Sequence, residues 1–150
     1  MAKGMKVSEC MSRDVRVTNP DQPIREAARI MAEIDAGSLP VGENDRLVGV
    51  ITDRDIAIRA VAQGKSPDTP VREIMSSEVK YSFEDEDVEE VTRNMGEIQV
   101  RRLPVVTRDK RLVGIVSLGD LSRCIGNAVP VGEALEGISR TGGQHTQSAA

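Results

Sequence analysis

The feature that most constrains the fold of this chain is an internal repeat. Three pairs of matching segments carry it: residues 7–12 with 71–76, 39–41 with 103–105, and 49–52 with 114–117. The offset grows from 64 to 65 between the second and third pairs, so one residue is inserted in the turn between them. A single repeat of about 60 residues buries too little surface to be stable alone. We therefore expect two similar units that pack together.

Within each repeat, the spacing of apolar residues predicts the order strand, helix, strand, strand, helix. Period-two alternation marks a short first strand, and helical spacing marks the amphipathic helix after it. A Leu-Pro-Val strand, a charged turn and an almost continuously apolar strand form a hairpin before the second helix. The predicted strands are 15–18, 39–41 and 47–52 in the first repeat, and 79–82, 103–106 and 112–117 in the second. The predicted fold class is α/β (α+β), built from two β-α-β-β-α repeats.

Domain boundaries follow from where the repeated pattern stops. We predict repeat one over residues 7–64, a linker over 65–70, repeat two over 71–128, a short C-terminal helix over 129–138, and a mobile tail over 139–150. Gly64 suits a helix stop because glycine adopts a left-handed backbone readily. The final segment lacks any core-forming pattern, which is typical of a mobile terminus.

Charge and cysteine content narrow the class of protein. Twenty Lys and Arg against 24 Asp and Glu give a net charge of −4, whereas nucleic-acid binders carry a basic excess. We therefore expect no nucleic-acid partner. The longest apolar stretches are strand-sized and the first residues are polar, so we expect no membrane span and no signal peptide. Cys10 and Cys124 lie far apart in sequence, so we expect small core or surface residues without a redox role, in a reducing, cytoplasmic setting.

The sequence offers no recognisable catalytic or metal-binding constellation. His145 is the only histidine and falls in the predicted tail, which leaves no Ser/His or Cys/His pair for nucleophilic catalysis. The acidic run at residues 84–87 opens a predicted helix, where it compensates the helix dipole instead of holding a cation. We expect a protein that is not an enzyme, with no metal and no required cofactor.

The sharpest local feature is duplicated at the end of each apolar strand. Thr52 is followed three residues later by Asp55, and Ser117 by Asp120, where a helix begins. One interpretation is a capping box, in which hydroxyl and acid satisfy free backbone amides. The other is a ligand site, because a helix start attracts phosphate and a carboxylate accepts hydrogen bonds from ribose hydroxyls. The two are compatible, since a cap can exchange partners when a ligand arrives.

Together these motifs resemble a tandem pair of cystathionine β-synthase (CBS) domains over about residues 7–128. The length and the Thr-Asp-Arg-Asp-Ile of residues 52–56 resemble short stand-alone bacterial CBS-pair proteins, the group that includes hypoxia-response proteins. The resemblance implies a pseudo-twofold module with two clefts between the repeats. In many relatives these clefts bind adenine nucleotides (AMP, ADP or ATP) or other adenosyl compounds as regulatory ligands.

The resemblance also implies roles for individual residues. The ribose-binding acids and phosphate-side hydroxyls correspond to Asp55, Asp120, Thr52 and Ser117. Arg101 and Arg102 match basic positions that reach phosphate, although a pair of solvated arginines at a strand edge explains them equally well.

The two repeats are not equivalent at the basic position. Repeat one has Gly37 and Ser38 there, with Arg54 as a partial substitute, so we expect one site to dominate. Val17 and Tyr81 could border an adenine, but packing in the strand core is the favoured role for both.

Two functions remain in view at this point. The first is a non-enzymatic sensor whose adenosyl ligand alters a surface read by an effector protein. The alternative is a ligand-independent dimerisation or scaffold module. A nucleotide hydrolase or transferase is weakly supported, since neither a base nor a nucleophile is identifiable.

We also predict a homodimer, because more apolar helix surface is present than one module readily hides: Ile24, Ala28, Met31, Ile56, Ala60, Val88 and Met95.

Overall fold

The computed structural model describes residues 4–125 together with residues 132, 134, 135, 137 and 138. These residues form two compact units. One is the continuous stretch Arg16–Val79, and the other joins the N-terminal residues up to Val15 to the chain from Lys80 onward. Four helices and short sheets make up a mixed α/β architecture, which confirms the predicted fold class.

The Arg16–Val79 unit is a helix, a hairpin and a second helix. Its elements are α1 (Ile24–Ile34), β1 (Ser38–Glu43), β2 (Arg46–Thr52) and α2 (Asp53–Asp55), which continues as a π-helix over Ile56–Val61. The two strands pair antiparallel. Asn44 and Asp45 both have positive φ, as a tight two-residue hairpin turn requires. The core of the unit includes Ile24, Ala27 and Met31 of α1, whereas Ala28 and Ile34 are exposed.

The other unit repeats this order. Its elements are β3 (Ser82–Phe83), α3 (Val88–Ile98), β4 (Arg102–Val106), β5 (Leu112–Ser117) and α4 (Leu118–Ile125). Strand β4 pairs parallel with β3 and antiparallel with β5. The five described positions between 132 and 138 are helical, and Ala134 and Ile138 are buried in this core. The rest of the predicted helix 129–138 and the predicted tail 139–150 lie outside the described residues.

Each unit takes in the segment that opens the other sequence repeat. Ser12 exchanges two backbone hydrogen bonds with Ile115, each of 2.9 Å. In the other unit, Ser76 exchanges two of 2.9 Å with Val50. Each compact unit therefore lacks the opening segment of its own sequence repeat and contains the opening segment of the other repeat.

The predicted first strands are the least accurate part of the sequence analysis. Instead of a strand over 15–18, the structure has a single parallel bridge between Thr18 and Val41. The chain turns directly afterwards, because the Asn19 side chain accepts hydrogen bonds from the backbone N–H groups of Asp21 and Gln22. The strand predicted over 79–82 is likewise reduced to Ser82–Phe83.

Gly114→Ala is expected to lower the free energy of unfolding by about 1–3 kcal/mol through overpacking. Its methyl group would lie 2.5 Å from the Met11 sulfur and 2.8 Å from the Ser12 carbonyl oxygen. Gly42→Ala is the matched control, since a methyl group there meets only the Arg46 carbonyl oxygen, at 3.6 Å. Chemical denaturation of both variants measures the difference, and equal stabilities would contradict the tight approach at Gly114.

Candidate functional site

The first helix cap lies where β2 runs into α2. The backbone N–H of Thr52 donates to Asp55 Oδ2, and the backbone N–H of Asp55 donates to Thr52 Oγ1, both at 2.9 Å. The two residues therefore form a reciprocal capping box, as the first interpretation of the sequence predicted. The cap fixes the rotamers of both side chains at the start of the helix.

The second carboxylate oxygen of Asp55 is buried. The residue is 0% exposed, and Oδ1 is buried without a hydrogen bond from any described group. Burial raises the pKa of the Asp55 carboxyl above its ordinary value, and the hydrogen bonds with Thr52 oppose that rise. A buried carboxylate oxygen without a donor is costly. A ligand hydroxyl that reached Oδ1, once the groups that cover it moved aside, would supply the missing hydrogen bond.

The second cap lies where β5 runs into α4. The backbone N–H of Ser117 donates to Asp120 Oδ2, and that of Asp120 donates to Ser117 Oγ, both at 3.0 Å. Here the other carboxylate oxygen is occupied, because Arg123 Nη2 donates to Asp120 Oδ1 at 2.6 Å. Arg123 is a site residue that the sequence alone did not reveal. Its signal was the spacing of opposite charges at i and i+3 on one helix.

The predicted basic residues lie beside the second cap. Arg102 pairs with Ser117 in the β4–β5 register, and the Arg101 carbonyl oxygen accepts from the backbone N–H of Leu118 at 3.0 Å. Both arginines are exposed.

In the other unit, Ser38 pairs with Thr52, and the Gly37 carbonyl oxygen accepts from the backbone N–H of Asp53 at 2.9 Å. Arg54, offered as a partial substitute for the missing basic pair, is exposed on the first turn of α2. Within the part of the chain that the structure describes, only the Ser117–Asp120 cap thus has an arginine on the neighbouring strand, Arg102, with Arg101 directly before it.

The two residues predicted beside an adenine have different surroundings. Val17 is 42% exposed, so the predicted packing in a strand core is wrong for this residue, because the chain there forms no strand. Tyr81 is half-buried and meets Phe83 edge-on, with ring centroids 5.4 Å apart. The ammonium group of Lys110 lies 5.7 Å from the Tyr81 ring centroid.

The prediction for the cysteines is wrong. Cys10 and Cys124 form a disulfide, with Cα atoms 6.0 Å apart across a sequence separation of 114. The bond links the N-terminal segment to α4. At the equivalent place in the other unit, Arg59 Nη1 donates to the carbonyl oxygen of Ile74 at 2.9 Å. Each unit therefore fastens its exchanged segment to its second helix, covalently in one case and by hydrogen bonding in the other.

Of the acidic run at 84–87, Asp87 caps the start of α3, whereas compensation of the helix dipole by the run stays a prediction. Asp87 Oδ1 accepts from the backbone N–H of Glu89, and Oδ2 from that of Gly4, both at 2.9 Å. Asp85 binds the Arg108 guanidinium through both oxygens, at 2.8 and 3.1 Å, and this pairing lowers the pKa of Asp85.

Among the described residues, no group of three or more His, Cys, Asp or Glu is arranged to hold a metal ion. None of the described helices is long and apolar enough to span a membrane.

The structure is thus a duplicated α/β module, with a hydroxyl–acid cap in each unit where an apolar strand ends. The chain belongs to the CBS domain family, whose family model matches residues 7–61 and 71–127. Over 133 residues it is 41% identical to the CBS domain-containing protein YhcV of Bacillus subtilis, covering 89% of this chain and 94% of that protein. It is 38% identical over 117 residues to hypoxic response protein 1 of Mycobacterium tuberculosis, covering 77% and 81%. These matches confirm the resemblance drawn from the sequence.

Solved CBS pairs share the fold. The CBS domain pair of protein MJ0100, solved with 5′-methylthioadenosine and S-adenosyl-L-methionine, aligns with a TM-score of 0.69 and 35% identity. The alignment covers 81% of this chain and 96% of that one. CBSX2, solved with AMP, aligns with a TM-score of 0.70 and 26% identity, covering 81% and 96%. CBS pairs are regulatory modules, and some of these structural neighbours bind AMP or adenosyl compounds.

Proposed function

We propose that this protein is a non-enzymatic sensor of an adenine nucleotide or a related adenosyl compound. In this proposal the ribose hydroxyls donate to the cap carboxylates of Asp55 and Asp120. The hydroxyls of Thr52 and Ser117 and the first helical N–H groups face the phosphate or the other 5′ substituent. The protein then has two conformations, and an effector protein recognises a surface of one of them. Ligand binding shifts the equilibrium between the two conformations by no more than the difference in the ligand's affinity for them.

The observation that carries the proposal is the unpartnered oxygen of Asp55. A capping box needs only one carboxylate oxygen, and Thr52 already occupies Oδ2 at 2.9 Å. Burying the other oxygen without a donor opposes stability, so a purely structural cap does not explain it. A vicinal ribose diol supplies hydroxyl donors of the kind that Oδ1 lacks. The adenosyl ligands bound by MJ0100 and the AMP bound by CBSX2 support the same ligand class.

A thermal-shift panel of AMP, ADP, ATP, NAD and S-adenosylmethionine tests the proposal. A ligand that binds only the folded protein, at 100 times its dissociation constant, is expected to add about 2.7 kcal/mol to the free energy of unfolding. At least one member of the panel should therefore raise the melting temperature. No shift with any of them at millimolar concentration would contradict the sensor and favour the scaffold module.

The scaffold alternative draws on an exposed apolar surface of the second helix. Val61 is 70% exposed, and Ile58, three residues earlier, is also exposed. Most of the residues first offered for a dimer face are instead buried in the unit cores, namely Ile24, Met31, Ala60, Val88 and Met95. Homodimerisation stays a prediction, and a monomeric mass by light scattering across micromolar concentrations would contradict it.

The cytoplasmic setting also stays a prediction. One of its supports, a pair of unlinked cysteines, is lost now that Cys10 and Cys124 are bonded.

A further inference from the structure

One difference between the two caps lies three residues after each acid, on the helix that follows it. The hydrogen bonds between hydroxyl and acid are the same in both, at 2.9 Å in the Thr52 cap and 3.0 Å in the Ser117 cap. Three residues after the acid, repeat one has Ile58 and repeat two has Arg123. That substitution decides what the free carboxylate oxygen contacts.

In repeat two, the guanidinium group occupies the oxygen that a ribose would need. Arg123 Nη2 lies 2.6 Å from Asp120 Oδ1, whereas Asp55 Oδ1 has no partner among the described groups. The guanidinium lies near the first turn of α4, since a methyl group built at Gly119 would be in ordinary van der Waals contact with Arg123 Nη1, at 3.8 Å, and with Ser117 Oγ, at 3.5 Å. The guanidinium therefore folds back onto the carboxylate of Asp120.

The ion pair is easily displaced. The Arg123 side chain is 75% exposed, and ion pairs at such sites contribute little to stability because water screens them. A ligand without a negative group would have to separate Arg123 from Asp120 and would gain no contact from the guanidinium in return. A phosphorylated ligand would give it a new one, since arginine binds phosphate strongly.

The surroundings of the two caps amplify this difference. Arg102 lies opposite Ser117 in the sheet register, and Arg101 comes directly before Arg102 in the chain. Together with Arg123, three arginines therefore flank the Asp120 cap. At the Asp55 cap, the equivalent strand position is Ser38, opposite Thr52, and an additional acid, Asp53, follows the cap hydroxyl. Arg54 adjoins Asp55, and the positive charge of Arg59 also acts on Asp55. With three arginines and no additional acid, against two arginines and Asp53, the Asp120 cap is the more basic of the two.

We propose that Arg123 makes the Asp120 cap selective for phosphorylated adenosyl ligands, whereas the Asp55 cap accepts the nucleoside moiety with much less regard to phosphate. This inference rests on the proposed function. It assigns the two caps of one chain to ligands of different charge, and Arg123 is the specificity-determining residue at the Asp120 cap.

The test measures adenosine and AMP affinities at each cap separately by titration calorimetry. Asp55→Asn leaves only the Asp120 cap intact, and Asp120→Asn leaves only the Asp55 cap. The ratio of AMP to adenosine affinity is expected to be at least about tenfold higher in the Asp55→Asn protein than in the Asp120→Asn protein. Equal ratios would overturn the inference while leaving ligand binding, and hence the proposed function, intact.

A second pair of variants tests Arg123 itself in the Asp55→Asn background. Arg123→Ile introduces the side chain found at residue 58 and is expected to remove most of the AMP preference, by weakening AMP and strengthening adenosine. Arg123→Lys keeps the positive charge and should retain part of that preference. Circular dichroism checks that each variant is folded. An unchanged ratio in Arg123→Ile would overturn the role of Arg123, whereas no binding of either ligand to the unmodified protein would overturn the proposed function as well.

Discussion

Replacing Cys10 and Cys124 together with serine is expected to lower the free energy of unfolding by about 2–5 kcal/mol. The bond spans a sequence separation of 114, so its loss releases a long loop in the unfolded chain. It also anchors the N-terminal segment, whose Ser12 pairs with Ile115 in the same unit. Thermal and denaturant unfolding of the double variant and the unmodified protein measure the effect.

Reductant supplies the control for the disulfide prediction. The unmodified protein should lose stability when its disulfide is reduced, and the double serine variant should not respond. Mass spectrometry after alkylation without reduction should find neither Cys10 nor Cys124 labelled. Two alkylated cysteines, or stability that is unchanged after complete reduction, would contradict the structural role of this bond.

Asp55→Asn is expected to weaken adenosyl binding at its cap by about 100-fold. Each hydrogen bond to a charged group contributes about 1.5–3 kcal/mol, and the substitution removes the charge that two ribose hydroxyls would meet. Asp68→Asn is the matched control, because Asp68 is an exposed acid of the same unit whose partner is Arg25. Calorimetry should find the control unchanged. Equal affinity in both variants would contradict the ribose-binding role of Asp55.

The same carboxyl gives binding a defined pH dependence. Burial raises the pKa of Asp55 in the free protein above 3.8, and hydroxyl donors on the ligand would favour the charged form and lower it again. Ligand therefore binds best above the raised pKa of the free protein, and affinity falls as the pH falls through that pKa. Affinity at the Asp55 cap that is constant from neutral pH down to 4 would contradict the linkage.

The regular elements of the fold could be predicted from the sequence because their patterns are local. The apolar strands that end at Thr52 and Ser117, and the helices that follow them, lie where hydrophobic periodicity indicated. The first strands could not be predicted in the same way. Val17 belongs to an alternating pattern, yet the Asn19 turn interrupts it after one bridge, so a tertiary environment overrides β-propensity.

The details that distinguish the two caps depend on side-chain geometry that a sequence does not contain. Both hydroxyl–acid pairs were predicted as caps, and the structure has both. Whether a second carboxylate oxygen is partnered depends on rotamers at residues such as Arg123. The disulfide could not be predicted for a similar reason, since a sequence separation of 114 does not determine the distance between the two cysteines in the fold.

The most direct test of the account is titration calorimetry of the unmodified protein and of the Asp55→Asn/Asp120→Asn double variant with AMP, ATP and S-adenosylmethionine in turn. The account predicts saturable binding of at least one of these ligands to the unmodified protein. It also predicts loss of that binding in a double variant that still unfolds cooperatively. Absence of binding by the unmodified protein at millimolar ligand, or equal affinity in the folded double variant, would contradict the claim that the two caps form the ligand sites.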